Sequence, residues 1–448
     1  MTLKRQTLSV CLIVKNEESC LGDCLASVRP VADQIVVVDT GSTDRTVAIA
    51  REHGAEVYSF RWIDDFSAAR NTSISYATGD WILWLDADET LMEKSQKELL
   101  SLLREEKSPV IYGVQIQNIK RDGTYSLSGA HRLFNNFKGI YFIGRIHEQV
   151  SPSVVRLGGV ERESNIVLYH TGYNYSGGKA AAKNERNRNL LLQQVEENPK
   201  SAYAHYTLAQ HLAINRDYDK ALGHYERAVA LKQFDKKMTV SLYNTYSETL
   251  FALGKYQEAK KYIRKSLSLQ PVQAAGYYLQ YKLALKDQQP EKAVLYLKKL
   301  LRVTRQLKGQ KKRVSTDILI PDEKIKFTLA GLYSDLGNAP NAIDLYEELL
   351  QKRPNHREII NRLIHLYQET NNLTALEKVL TSAGTSILED ESYTELLGIT
   401  RIKQEKFQQA LPLFENLYTQ NPKNDRIKKI LIGLYGKTGN IERAQALL

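Results

Sequence analysis

The sequence predicts two folds in one chain: an α/β domain on a mostly parallel sheet, followed by an all-α solenoid of helical repeats. Three observations carry this. Short apolar runs alternate with amphipathic stretches through residues 8–75, and the wholly apolar Trp81-Ile82-Leu83-Trp84-Leu85 ends in Asp86-Ala87-Asp88. Beyond residue 178 the strand-like runs stop, and alanines recur at a spacing near 34. Alternating strand and helix signals belong to parallel sheets, and a fixed period of 20 to 50 residues to solenoids.

Leu8 to Val14 reads as a short buried strand, followed by Lys15-Asn16-Glu17-Glu18 and an amphipathic helix to about Val28. A second strand, Gln34 to Val38, runs into Asp39-Thr40-Gly41-Ser42-Thr43-Asp44. Gly41 permits the tight turn there, Asp44 caps a helix starting near Arg45, and Asp39 is left at the strand end. A third strand, Glu56 to Phe60, precedes the loop Arg61 to Phe66 and a helix from Ser67 that carries Arg70 and Asn71. The run Trp81 to Leu85 is too apolar to be anything but buried, so its two following aspartates stand at a carboxyl strand end, where an open α/β sheet keeps its ligand. On an extended chain, aspartates one residue apart face opposite sides. A turn after Leu85 brings both toward one divalent cation and the phosphates it carries. Acidic residues also end strands as simple turn formers, so the weight lies in the surrounding set.

That set resembles a known family. Asn16-Glu17 after the first strand, Asp39-Thr40-Gly41-Ser42-Thr43-Asp44, Asp65-Phe66-Ser67-Ala68-Ala69-Arg70-Asn71 and Leu85-Asp86-Ala87-Asp88-Glu89 look like the family 2 glycosyltransferases of GT-A, Rossmann-like fold. Gly144-Arg145-Ile146-His147-Glu148 and Tyr169-His170-Thr171-Gly172-Tyr173 extend the match, which covers about residues 8–178. The chain is most similar to the branch that appends helical repeats, which includes bacterial peptide S-glycosyltransferases of glycosylated bacteriocin pathways and transferases for cell-surface glycans.

The resemblance implies an inverting, metal-dependent transfer from a nucleotide-diphosphate sugar such as UDP-hexose, with Mn²⁺ or Mg²⁺ as cofactor. It implies Asp88 as a direct metal ligand, Asp86 as a direct or water-mediated one that contacts ribose or metal, and His170 as a further ligand. Val14, Asn16, Ser42, Asn71 and Ala87 would line the donor site. Asp39 and Glu17 would hold the base and ribose, and Arg70 would offer a fixed cation toward the phosphates. Glu148 matches the acidic base. Many members carry Glu-Asp or Asp-Asp where this chain has His147-Glu148, which leaves open whether His147 shares the work. A thiol acceptor, with a reference pKa near 8.5, would need less help from a base than a hydroxyl.

From about Lys179 the pattern is helical only. Ala221, Ala259, Ala293, Ala342, Ala375, Ala410 and Ala444 recur, and Tyr225, Ile263, Leu297, Tyr346, Val379 and Phe414 each follow four positions after one of them. A small residue where helices cross, with a bulky one a turn later, is what close packing requires. Pro271, Pro354 and Pro422 stand where the second helix of a unit must stop. The spacing resembles tetratricopeptide repeats, with a weak copy near Ala375. A longer step between Ala293 and Ala342 places a basic insertion near residues 306–323, carrying Lys308, Lys311, Lys312 and Arg313. The expected organisation is a transferase domain at 1–178, a linking helix at 179–200 and repeats at 201–448.

Charge divides unevenly along the chain. Residues 1–178 hold 19 Lys and Arg against 22 Asp and Glu, whereas the remainder holds 43 against 29, so the basic excess belongs to the repeats. A solvated helical surface carries such charge for solubility, and an acidic partner, whether a peptide, an anionic glycan or a membrane surface, is the other reading. Nucleic acid is not expected, since no recognition motif accompanies the basic residues. A homo-oligomer is compatible with the sequence. Cys11, Cys20 and Cys24 are an odd number confined to the first strand and helix, which points to free thiols. The longest early apolar run falls far short of a membrane span, so a soluble, cytoplasmic protein is expected. Two other readings compete with a peptide-modifying enzyme: a transferase for lipid-linked or surface glycans, and a repeat scaffold with a degenerate sugar-binding domain.

Overall fold

The computed structural model describes residues 6–119, 125–170, 178–307, 320–382 and 391–448. Contacts divide the chain into two compact units, the first ending at Pro271 and the second starting at Val272.

The first unit is built on strands β1 (Leu8–Val14), β2 (Gln34–Asp39), β3 (Glu56–Ser59), β4 (Trp81–Leu85), β5 (Glu89–Leu91), β6 (Val110–Ile119), β7 (Tyr125–Asn135) and β8 (Val160–His170). They form one sheet in the order β3-β2-β1-β4-β7-β6-β8-β5. The β3-β2-β1-β4 half is parallel, as the alternation of strands and helices requires. β8 runs parallel to β6, whereas β7 runs antiparallel between β4 and β6 and β5 antiparallel to β8, so the sheet is mixed, with the parallel pairings in the majority as expected. The antiparallel part includes the long β6–β7 pair, whose antiparallel strands need no crossover helix.

Helices α1 (Leu21–Val28), α2 (Thr46–Glu52), α3 (Phe66–Ser75), α4 (Glu93–Leu102) and α5 (Ser151–Arg156) cover the sheet. Alternate residues of β1 feed opposite cores: Leu8, Val10 and Leu12 pack with Leu21 and Leu25 of α1, whereas Cys11 packs with Val36, Ile82 and Phe142. Asp65 caps α3 by accepting from Ala68 N. Asp44 accepts from Thr46 N at 2.9 Å, the first residue of α2, although the N-cap position itself is Arg45. The segment Tyr141-Phe142-Ile143 is not a strand; only Ile143 bridges, to Gln149.

The same unit continues into α6 (Gly178–Glu197) and the helix pairs α7 (Ala202–Ile214) with α8 (Tyr218–Leu231) and α9 (Lys236–Ala252) with α10 (Tyr256–Leu269).

The second unit is helical throughout its described residues. It pairs α11 (Ala274–Lys286) with α12 (Pro290–Leu307), α13 (Asp322–Asp335) with α14 (Ala339–Lys352), α15 (Arg357–Glu369) with α16 (Leu373–Ser382), α17 (Glu391–Lys403) with α18 (Phe407–Gln420), and α19 (Asp425–Thr438) with α20 (Ile441–Gln445). α10, α14 and α18 end just before Pro271, Pro354 and Pro422. The insertion's Lys308, Lys311, Lys312 and Arg313 lie outside the described residues.

Each turn between paired helices passes through one left-handed residue: Arg216, Gly254, Gln288, Gly337, Asn371, Glu405 and Gly439. Five residues after each stands the small packing residue, except in the weak copy, where that place falls to Leu376 and not Ala375. Leu376 N bonds back to Asn372 O as Ala410 N does to Lys406 O, and Leu376 is in the core. The alanine at 375 therefore misplaces the period by one residue.

Candidate active site

The turns after β1, β2 and β4 open at one end of the parallel strands, the crevice in which such sheets bind ligands. After β1, Asn16 takes a left-handed conformation (φ 57°), and its Oδ1 accepts from Thr43 N at 2.8 Å while its own N donates to Ser42 Oγ at 2.9 Å. Val14 O accepts from Thr40 N, which joins the β1 and β2 ends. Asp39 turns back on its own loop, accepting from Gly41 N at 3.2 Å and Ser42 N at 3.1 Å. Glu17 lies near enough to Asp88 and Asp86 to be affected by both. Burial raises its pKa and those carboxylates add to the rise, against the Cys20 thiol, which donates to Oε2 at 3.2 Å, and Lys183 of α6.

After β4 the turn sends the two aspartates in different directions. Glu89 N closes it onto Asp86 O at 3.0 Å, and Ala87 is buried in the core beside Leu91. Asp88 reaches His170 Nε2 at 3.2 Å, because the antiparallel pairing of β5 and β8 sets Glu89 opposite His170. His170 Nδ1 faces Asn118 Oδ1 at 2.9 Å. The Asp88 hydrogen bond raises the His170 pKa against the opposing effect of burial.

Asp86 instead faces two arginines. Its Oδ1 accepts from Arg70 Nη2 at 2.6 Å and its Oδ2 from Arg132 Nη2 at 2.9 Å. Burial works to raise the Asp86 pKa, but the two guanidinium groups outweigh it and hold this carboxyl well below the usual range. Arg132 also donates to Glu89 Oε1 at 2.6 Å, and Arg70 Nε donates to Glu148 Oε1 at 2.5 Å. The result is an alternating line Glu148–Arg70–Asp86–Arg132–Glu89 with one net negative charge. Both guanidinium groups lie over the Trp84 ring, Arg132 at 3.5 Å from its centroid and Arg70 at 3.9 Å. Burial opposes a charged Glu89 and raises its pKa, with Arg132 acting the other way.

Arg70, expected to face donor phosphates, is thus committed to two carboxylates, and Asn71 exchanges hydrogen bonds with the Phe142 backbone, 3.0 Å to its O and 2.7 Å from its N. The structure brings Asp88 and His170 together but turns Asp86 toward the arginines. Among the described residues, no three His, Cys, Asp or Glu side chains converge in a metal-holding group. The sequence reading gave no role to Arg132, Trp84 or Glu89. A charged residue beside the apolar Leu133-Phe134 was the available signal.

Cys11 is pushed up to about 12 by burial, as is Cys20 by burial and its Glu17 hydrogen bond, and all three cysteines are free thiols. They are packing groups; none is an activated nucleophile. Among the described residues, no helix is long and apolar enough to cross a membrane.

Residues 9–157 match the family model for glycosyl transferase family 2, and residues 200–271 and 401–448 match tetratricopeptide repeat models. The chain is 39% identical over 202 residues to a TPR repeat-containing protein of Synechococcus elongatus, covering 44% of this chain and 50% of that protein. It is 32% identical over 199 residues to the SPbeta prophage-derived glycosyltransferase SunS of Bacillus subtilis, covering 43% of this chain and 47% of that one. The chain therefore spans about half the length of these curated relatives. Among solved structures, YrrB, a TPR protein with an unusual peptide-binding site, aligns with 45% of this chain, covering 94% of its own, at 18% identity and a TM-score of 0.35. The N-terminal part thus carries a family 2 glycosyl transferase domain, and the C-terminal part carries tetratricopeptide repeats.

Proposed function

We propose that the chain is an inverting glycosyltransferase that moves a hexose from a nucleotide diphosphate, UDP-hexose in the first instance, to a Cys or Ser side chain of a peptide or protein. The observation that carries this reading is the Arg70 guanidinium, which joins Asp86 at the donor end of β4 to the buried Glu148 carboxylate. Donor-side and acceptor-side carboxylates then stand a single side chain apart. In this mechanism Glu148 takes the proton of the acceptor hydroxyl or thiol, whose lone pair forms the bond to the anomeric carbon. The bond to the diphosphate breaks on the opposite face, and its electron pair leaves on the phosphate oxygen. Glu17, Asp39 and Asn16 ring the crevice where nucleoside and ribose would sit, with Ser42 and Val14 shaping its edge.

Asp88 and His170 are the pair that would hold a Mn²⁺ or Mg²⁺ ion, with Asp86 reaching it through water. Two of the ligands such an ion needs stand together: Asn118 faces the imidazole Nδ1, and Nε2 is directed at the Asp88 carboxylate. A cation bound there would neutralise the charge that gathers on the departing diphosphate. Excess negative charge from Asp88, Glu17 and the Asp86 line favours such an ion. Free thiols, with Cys11 and Cys24 buried, agree with a reducing, cytoplasmic setting. Helical repeats form grooves suited to extended polypeptides, and their basic excess suits an acceptor with acidic residues.

Incubation with a panel of UDP- and GDP-sugars, scored for release of nucleotide diphosphate and followed by mass spectrometry of candidate peptides, tests this reading. Release should stop in EDTA and return on adding Mn²⁺ or Mg²⁺, and Asp88→Ala should abolish it without loss of folding. Full activity in EDTA would remove the metal, and release with none of the sugars would remove the transferase.

A further inference from the structure

The loop that carries Glu148 is held from outside the sheet domain, by α6 and α7. Gly144 adopts φ 105°, and a Cβ there would lie 3.2 Å from Gln194 Oε1 of α6. Arg145 donates Nε and Nη2 to the two oxygens of Glu197 at the α6 terminus, at 2.8 and 2.5 Å, and Nη1 to Asp64 O at 3.0 Å. His147 then takes a left-handed conformation (φ 53°), and its carbonyl accepts from Tyr203 Oη of α7 at 3.0 Å. Residues other than glycine are uncommon in that region, and at His147 the Tyr203 hydrogen bond is a contact that holds the turn. Glu148 follows immediately, its carboxylate on Arg70. Burial, with Glu148 nearby, raises the Tyr203 phenol pKa, so its hydroxyl stays a donor over the whole working pH range. Tyr203 belongs to the same compact unit as the sheet.

We propose that Tyr203 is a positioning residue for the transfer: by holding the His147 carbonyl it fixes the left-handed turn and so sets where the Glu148 carboxylate stands. The first helical repeat is then a working part of the catalytic centre as well as a holder of the acceptor. This rests on Glu148 being the base. Nothing in the sequence signalled it, because Tyr203 and His147 are 56 residues apart and the hydrogen bond runs to a main-chain oxygen.

The test uses the full chain with Tyr203→Phe, Glu148→Gln and the double variant, assayed on the UDP- or GDP-sugar that the parent turns over fastest. Backbone hydrogen exchange is followed in the free protein. Tyr203→Phe should lower kcat by about tenfold with donor KM unchanged, as expected when a catalytic group is slightly misplaced. Amides of residues 145–149 should exchange about fivefold faster while the β1 to β4 amides do not change. The double variant should be no slower than Glu148→Gln alone, since Tyr203 acts through Glu148. Parental kcat and parental loop exchange in Tyr203→Phe, or a double variant slower by the product of the two single effects, would overturn the proposal and leave the base assignment standing. Parental turnover in Glu148→Gln would remove the base assignment itself, and the proposal with it.

Discussion

Trp84 lies under two guanidinium groups that share Asp86, and this pairing decides what the candidate site can tolerate at the level of single residues. Arg132 is buried and, among the described residues, forms the salt bridge to Glu89, itself 2% exposed, so the pair cannot be broken cheaply. Removing one member of a buried pair strands the other charge at a cost of about 3–5 kcal/mol, whereas removing both costs much less. Arg132→Met should therefore lower the urea midpoint clearly, and Arg132→Met with Glu89→Gln should recover part of the loss. A double variant no more stable than Arg132→Met alone would show that Glu89 is not the stranded group. The positions Asp39, Asp86, Asp88, Glu148 and His170 were legible as a set because each ends a strand or sits in a short motif. Their pairing was not: Arg132 meets Asp86 and Glu89 across 46 and 43 residues, a contact set by how β7 lies against β4.

Among the elements, the repeats show how far a period can be read and where it slips. Small residues recur because paired helices approach closely, and the left-handed turns keep the same step, so Ala221, Ala259, Ala293, Ala342 and Ala410 all stand fully buried. In the copy between α15 and α16 Leu376 fills the small position, and the neighbouring Ala375 drew the reading one residue away. Strands β6 and β7 were not legible in the sequence, because the alternation of helix and strand signals stops at β4 and antiparallel strands need no crossover helix. Among the described glycines of the repeats, the closest approach is at Gly398 of α17, where a Cβ would stand 2.5 Å from Cε2 of the fully buried Phe414. Alanine is better than glycine inside a helix by about 1 kcal/mol, but overpacking a filled core costs about 1–3 kcal/mol. Gly398→Ala should therefore destabilise the second unit, seen as a lower thermal midpoint, and Gly398→Ala with Phe414→Leu should restore much of it. A midpoint raised by Gly398→Ala would mean that helix propensity prevails there and that the packing is looser than described.

For the whole molecule, the sheet with its first two helix pairs forms one unit and the remaining repeats another. Composition marks a change near residue 178, because helices replace strands there. The compact unit runs on to Pro271, because Gln194, Glu197 and Tyr203 pack against the loop of residues 144–148, and no change of composition records such contacts. Everything proposed for the molecule depends on Glu148 accepting a proton beside a bound nucleotide sugar. Glu148→Gln keeps the shape of the side chain and removes its basicity, and donor binding and turnover can be measured on the same preparation. The account predicts donor affinity like that of the parent, with turnover on a serine-bearing acceptor lower by about 10² to 10⁴. Unchanged turnover on that acceptor would contradict it.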